Sequence, residues 1–276
     1  ITPVKLAIRT KGQNLSSEKN VPGFFISKKI PMVRDWKNNT NSFTVSGNIL
    51  SISDNDTLFR NIHDPTLFTG HLFQQMLFEK GKKINSINKG SVTENAKLIT
   101  FHKSKPLLPI IENLMVKSDN LTAELLIKTI GFESNKKEGN WINGLEEVRT
   151  FIHDSVGIDT ANFSIQDGSG VSRYNYGSPS QYIDLLKWAY NNKAIRDQFI
   201  SVLPNSTTKG VLNKRSLPNK VYAKTGSLSG VTTFSGYIFT NSGEIVAFSI
   251  LMNGFKGDSL PYKNLQDKII SVLSMI

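Results

Sequence analysis

Three β-type segments follow one another near the C-terminal end, joined by turns too short for a crossover. Lys220 to Leu228 reads as a strand and runs into a Ser229-Gly230 turn. Thr232 to Phe239 and Ile245 to Leu251 read as two more, joined by Asn241-Ser242-Gly243, a hairpin signal. Parallel neighbours need a crossover of about a dozen residues or more, so these strands must pair as an antiparallel meander. A helical pattern with Leu265, Ile269, Val272, Leu273 and Ile276 on one face closes the chain.

Upstream the periodicity changes. From about Pro109 the pattern is helical through Ile110, Leu114 and Met115. It breaks at Lys117-Ser118-Asp119-Asn120 and resumes through Leu121, Leu125, Leu126 and Ile130. Further helices are predicted over roughly 142–155, ending before Gly157, and from Ser178-Pro179 through Tyr182, Leu185, Leu186 and Ala189. A glycine-rich run, Asp167-Gly168-Ser169-Gly170-Val171-Ser172-Arg173-Tyr174-Asn175, lies between them. Nearer the start, Phe43 to Leu50 alternates like a half-buried strand. Asp64-Pro65 opens a helix whose stripe of Leu67, Phe68, Leu72, Met76 and Leu77 reads as core, with Gly81 as its stop. Helices and an antiparallel meander in this order make an α+β chain. A boundary near residue 60 is expected, separating a strand-rich part, 1–60, from the rest, 61–276.

Composition narrows the chemistry. The 276 residues contain no cysteine, which excludes disulfides, thiolate nucleophiles and cysteine metal sites, and suits an oxidising compartment. The formal charge of +11 fits attraction to an anionic polymer or membrane surface, or merely a soluble Lys- and Asn-rich surface. The lysines are scattered and no basic run is interleaved with aromatics, so no nucleic-acid partner is expected. His63, His71, His102 and His153 lack ligand spacing, so neither a metal nor another cofactor is expected.

Two tripeptides carry the chemistry together: Ser118-Asp119-Asn120 at a junction of two apolar helices, and Lys224-Thr225-Gly226 on a strand. Each alone is weak, and Ser53-Asp54-Asn55 is a second Ser-Asp-Asn that reads as a turn in a polar run. Taken alone, Ser118 could be only a helix cap and Lys224 only an exposed strand lysine. In order, the runs Lys117 to Asn120, Asp167 to Asn175 and Ala223 to Leu228 resemble those of class C, penicillin-binding-protein-4-type D-alanyl-D-alanine carboxypeptidases. The likeness extends over about 43–276. It implies a penicillin-binding/β-lactamase-like transpeptidase fold, an antiparallel sheet with a helical cluster, here incomplete and joined to part of an accessory domain.

The resemblance also implies roles. Ser118 would relay a proton to the leaving D-alanine nitrogen, and Asn120 would bond the substrate amide and fix the catalytic lysine. Lys224 would anchor the substrate's terminal carboxylate, and Thr225 would add a hydroxyl to it. Gly226 would let substrate approach the strand, and the Ser227 N–H would be an oxyanion donor. Asp167 to Gly170 would form a tight supporting loop, with Arg173 able to pair with a carboxylate. Partners would be peptidoglycan peptides and β-lactam antibiotics in the periplasm; peripheral membrane association and oligomeric state stay open.

The family's third motif, S-x-x-K, supplies the nucleophile and its base. Here that pattern falls at Ser16 to Lys19, in a polar stretch, and at Ser134 to Lys137, expected in a loop after the Ser-Asp-Asn helix. Neither begins an apolar helix that could bury the pair. The expectation is therefore an enzyme whose nucleophile-bearing segment lies outside this chain, the alternative being a catalytically inactive cell-wall-binding fragment. A β-lactamase reading is weaker, because Glu146 and Glu147 lie on an amphipathic helix rather than on the loop that class A deacylation needs.

Overall fold

The computed structural model describes residues 32–46, 60–136, 138–207, 210–218 and 220–276. The chain divides into two compact units, 1–101 and 102–276. The break falls later than the expected boundary near 60, and the helix at Pro65 belongs to the first unit.

In the first unit, β1 (Met32–Arg34) pairs antiparallel with β2 (Phe43–Val45). The strand expected over 43–50 is described only to Val45, and Ser53 to Asn55 lie outside the described residues. Helix α1 (Pro65–Glu79) starts as expected, with the Asp64 carboxylate accepting from the Leu67 N–H at 3.1 Å. Its stripe is not core, however. No α1 residue is buried, and Leu72 and Met76 are exposed.

The second unit is built on a three-stranded antiparallel sheet in the order β3 (Val221–Leu228), β4 (Val231–Phe239) and β5 (Ile245–Asn253), as the short turns require. Its helices are α2 (Leu107–Lys117), α3 (Asn120–Asn135), α4 (Trp141–Phe151), α5 (Pro179–Asn191), α6 (Arg196–Val202) and α7 (Leu260–Leu273). A π-helical turn, Ile152–Val156, extends α4 to Gly157, whose φ of 81° suits glycine. Alternation along the strands sends side chains to opposite faces. Val221, Ala223, Phe234, Ile238 and Phe248 pack on one face with Ile270 of α7. Tyr237, Tyr222, Ile245 and Ala247 pack on the other, against Leu186 of α5, Leu203 and Met115 of α2.

Helix α7 meets the sheet through a line other than the one its apolar pattern suggests. Gln266 and Ile270 are buried and Leu273 packs beside them, whereas Leu265, Val272 and Ile276 are exposed. Gln266 is satisfied there. Its amide donates to the Thr232 carbonyl and its oxygen accepts from Arg215, which also pairs with Asp267 at 2.6 Å. A polar residue can hold a core position when every polar atom finds a partner.

Phe234 is fully buried, 5.0 Å from the Phe248 ring and beneath the Arg215 guanidinium at 4.5 Å. Phe234→Ala is expected to destabilise the second unit by about 3–5 kcal/mol. Urea denaturation followed by circular dichroism measures this, and a loss under about 1 kcal/mol would mean that the sheet–α7 core does not hold the unit together.

Candidate active site

The Ser-Asp-Asn turn joins α2 to α3, and its three residues divide the work. Asp119, not Ser118, caps α3. Its carboxylate accepts from the N–H of Leu121 at 3.1 Å and from the Thr122 hydroxyl at 2.7 Å. Ser118 instead ends α2 in the left-handed region, φ 53°. Its hydroxyl is thereby released from capping. Asn120 opens α3, is exposed, and its carboxamide makes no hydrogen bond to any described residue.

Lys224 lies on β3, on the same face as Tyr222, and so points toward the α2 side of the sheet. Its Nζ donates to Ser118 Oγ at 2.5 Å and to the Thr225 carbonyl at 2.8 Å. Two residues 106 positions apart in sequence thus meet. Burial pushes the Lys224 amine below the usual lysine range. Among the described residues Lys224 forms no ion pair.

Thr225, Gly226 and Ser227 continue β3, an edge strand of the sheet among the described residues. Outward N–H groups alternate along such a strand. Ala223 donates outward to the Pro204 carbonyl at 2.9 Å, and Val221 to Ser206 Oγ at 3.3 Å. The same alternation, unbroken by any bulge through Leu228, aims the N–H groups of Thr225 and Ser227 at the open edge. Gly226 stands opposite Thr233, and a Cβ there would come within 2.5 Å of Thr233 Oγ1. A side chain at this position would require the Thr233 hydroxyl to turn away, a reason for glycine beyond room for substrate.

The glycine-rich run forms a braced loop. Asp167 accepts from the N–H of Gly170 at 2.7 Å, the N–H of Ser172 at 2.5 Å and the Asn175 amide at 3.0 Å. A Cβ on Gly168 would lie 2.5 Å from Ile127 and 2.7 Å from the Ala123 carbonyl, so the loop seats directly on α3. Among the described residues Arg173 pairs with no carboxylate. Its Nη2 donates to the Ser229 carbonyl at 2.9 Å, in the turn after β3. Glu124 of α3 ties the loop down, accepting from the N–H groups of Gly168 at 3.1 Å and Ser169 at 3.0 Å and from the Trp141 indole at 2.8 Å. Sequence periodicity gave no hint of Glu124. The only signal was a carboxylate one turn beyond Asn120 on the face that carries the motif.

The remaining candidates lie elsewhere. Ser16 to Lys19 fall outside the described residues. Ser134 is in the last turn of α3 rather than in a following loop, because α3 runs on to Asn135, and its hydroxyl donates to Glu147. Glu146 pairs with Arg149 at 3.2 Å on the exposed side of α4.

A Ser-Asp-Asn junction bonded to a Lys-Thr-Gly edge strand is the motif arrangement of penicillin-binding enzymes. Residues 17–275 match the D-Ala-D-Ala carboxypeptidase 3 (S13) family, and the chain belongs to that family. It is 32% identical to a D-alanyl-D-alanine carboxypeptidase of Actinomadura sp., over 82% of this chain and 44% of the relative. It is 26% identical to the carboxypeptidase DacB of Haemophilus influenzae, over 76% and 45%. The crystal structure of Haemophilus influenzae penicillin binding protein 4, complexed with a β-lactam, superposes with a TM-score of 0.76 at 24% identity, covering 90% of this chain and 59% of that one. The fold is therefore the α+β penicillin-binding fold expected. The chain spans somewhat under half the length of these two carboxypeptidases.

Proposed function

We propose that the intact protein is a serine D-alanyl-D-alanine carboxypeptidase/endopeptidase that acts on peptidoglycan stem peptides and is acylated by β-lactams. The hydrogen bond from Lys224 to Ser118 carries this reading, since it joins the two motifs across what would be the cleft. A serine and lysine of an S-x-x-K segment outside these 276 residues would supply nucleophile and base. Lys224 would hold the substrate carboxylate, with Thr225 beside it. Ser118 would pass a proton to the leaving amine, and Asn120, its amide unbonded among the described residues, would bond the substrate backbone. The outward N–H of Ser227 would serve the oxyanion, a contribution of about 3 kcal/mol in such sites.

In this reading residues 61–276 are the C-terminal part of the penicillin-binding domain and 1–60 the end of an accessory domain, although the compact units divide at 101/102. The periplasm is the proposed location, in keeping with a sequence that carries no cysteine.

Labelling with a fluorescent penicillin tests the proposal. The intact gene product should be labelled on one serine and should release D-alanine from a D-Ala-D-Ala peptide, while these 276 residues alone should take up no label. An unlabelled intact protein would favour an inactive wall-binding role. Label on Ser16 or Ser134 would refute the assignment of the nucleophile to another segment.

A further inference from the structure

Glu124 lies one helical turn after Asn120 on α3, so the two share a face. Its carboxylate is occupied on both oxygens. Oε2 accepts from the Gly168 N–H and the Trp141 indole, and Oε1 from the Ser169 N–H. Burial would raise its pKa, but bonds from the Ser169 hydroxyl, the Gly168 N–H, the Trp141 indole and the Ser169 N–H outweigh this and hold it below the usual carboxylate range. The loop it grips is braced internally by Asp167, and its far side reaches the β3–β4 turn through Arg173 and the Ser229 carbonyl. A continuous path of hydrogen bonds thus links the helix that carries Asn120 to the turn two residues beyond Ser227.

We propose that Glu124 is a positioning residue which, by holding Gly168 and Ser169, sets the separation between the Ser118–Asn120 wall and the Lys224–Ser227 strand. The inference rests on the proposed function. The requirement is for a carboxylate in particular. A carboxylate is acceptor-only at both oxygens, whereas a carboxamide would turn one of them into an NH₂ facing N–H donors. Small errors of placement matter in such a site, where a shift of about 1 Å can cost about 100-fold in rate.

The test uses Glu124→Gln in the intact protein. Active sites are counted by complete labelling with fluorescent penicillin, and kcat and KM for D-alanine release are expressed per labelled site. A positioning role predicts a per-site kcat lowered about tenfold or more, with KM changed less than about threefold. A purely structural role predicts fewer labelled sites, each with wild-type kcat, and that result overturns the proposal. If Glu124→Gln does not fold, Ser169→Ala, which removes one donor and leaves the loop N–H groups, takes its place. A per-site kcat down by about threefold supports the proposal, and an unchanged one overturns it. Wild-type protein that takes up no penicillin would defeat the functional proposal itself.

Discussion

Replacing Ser118 by alanine in the intact protein is expected to lower kcat for D-alanine release by about 100-fold or more, with KM nearly unchanged. The hydroxyl is the only group lost, and a positioned acid–base group typically supplies about 10²–10⁴ in rate. The helix junction should survive, because the α3 cap belongs to Asp119 and not to Ser118. A melting temperature near wild type with a slow, uniform population of sites is the expected result. Steady-state kinetics normalised to labelled sites would decide it, and a variant with wild-type kcat would remove Ser118 from the proton path.

Lys224→Ala is expected to reduce kcat/KM by about 100-fold, close to 3 kcal/mol, the scale of a charge-assisted hydrogen bond. The loss should appear in both peptide cleavage and the rate of penicillin acylation, because both substrates carry a carboxylate. Lys224→Arg keeps the charge but presents a planar fork in place of a compact ammonium, and should restore activity only in part. The same residue sets a pH dependence. Burial disfavours the charged ammonium, so Lys224 loses its proton at lower pH than an exposed lysine would. As pH rises, the proposed carboxylate anchor would lose its charge and kcat/KM should fall. The alkaline limb of that profile should therefore lie below the ordinary lysine value and vanish in Lys224→Ala. A limb unmoved by the substitution would assign it to another group.

Much of this site could be read before the structure, because its parts are marked by local chemistry. A Ser-Asp-Asn break between apolar helices is a cap and a turn at once, and Lys-Thr-Gly on an alternating strand puts the lysine on a definite face. What could not be read is set by partners far along the chain. Glu124 looks like any helix carboxylate until Gly168 and Ser169, more than forty positions on, fold against it. Gln266 looks like a surface residue until Arg215 and the Thr232 carbonyl satisfy it in the core, and that shifts the buried line of α7 away from Leu265 and Val272. Hydrophobic periodicity records which residues are apolar, not which polar ones will find partners. The α1 stripe erred in the opposite direction, since an amphipathic pattern guarantees a covered face only where another element lies on it.

The left-handed backbone at Ser118 sets stability against chemistry at one position. A residue with a Cβ is held there at a conformational cost of about 1–2 kcal/mol that glycine would escape. A more stable fold would favour glycine at this junction, and glycine has no hydroxyl through which the proposed proton could pass to the leaving amine. If Ser118 is the proton relay proposed, a serine in a conformation that suits it poorly would be a trade of stability for activity at the scale of a single residue.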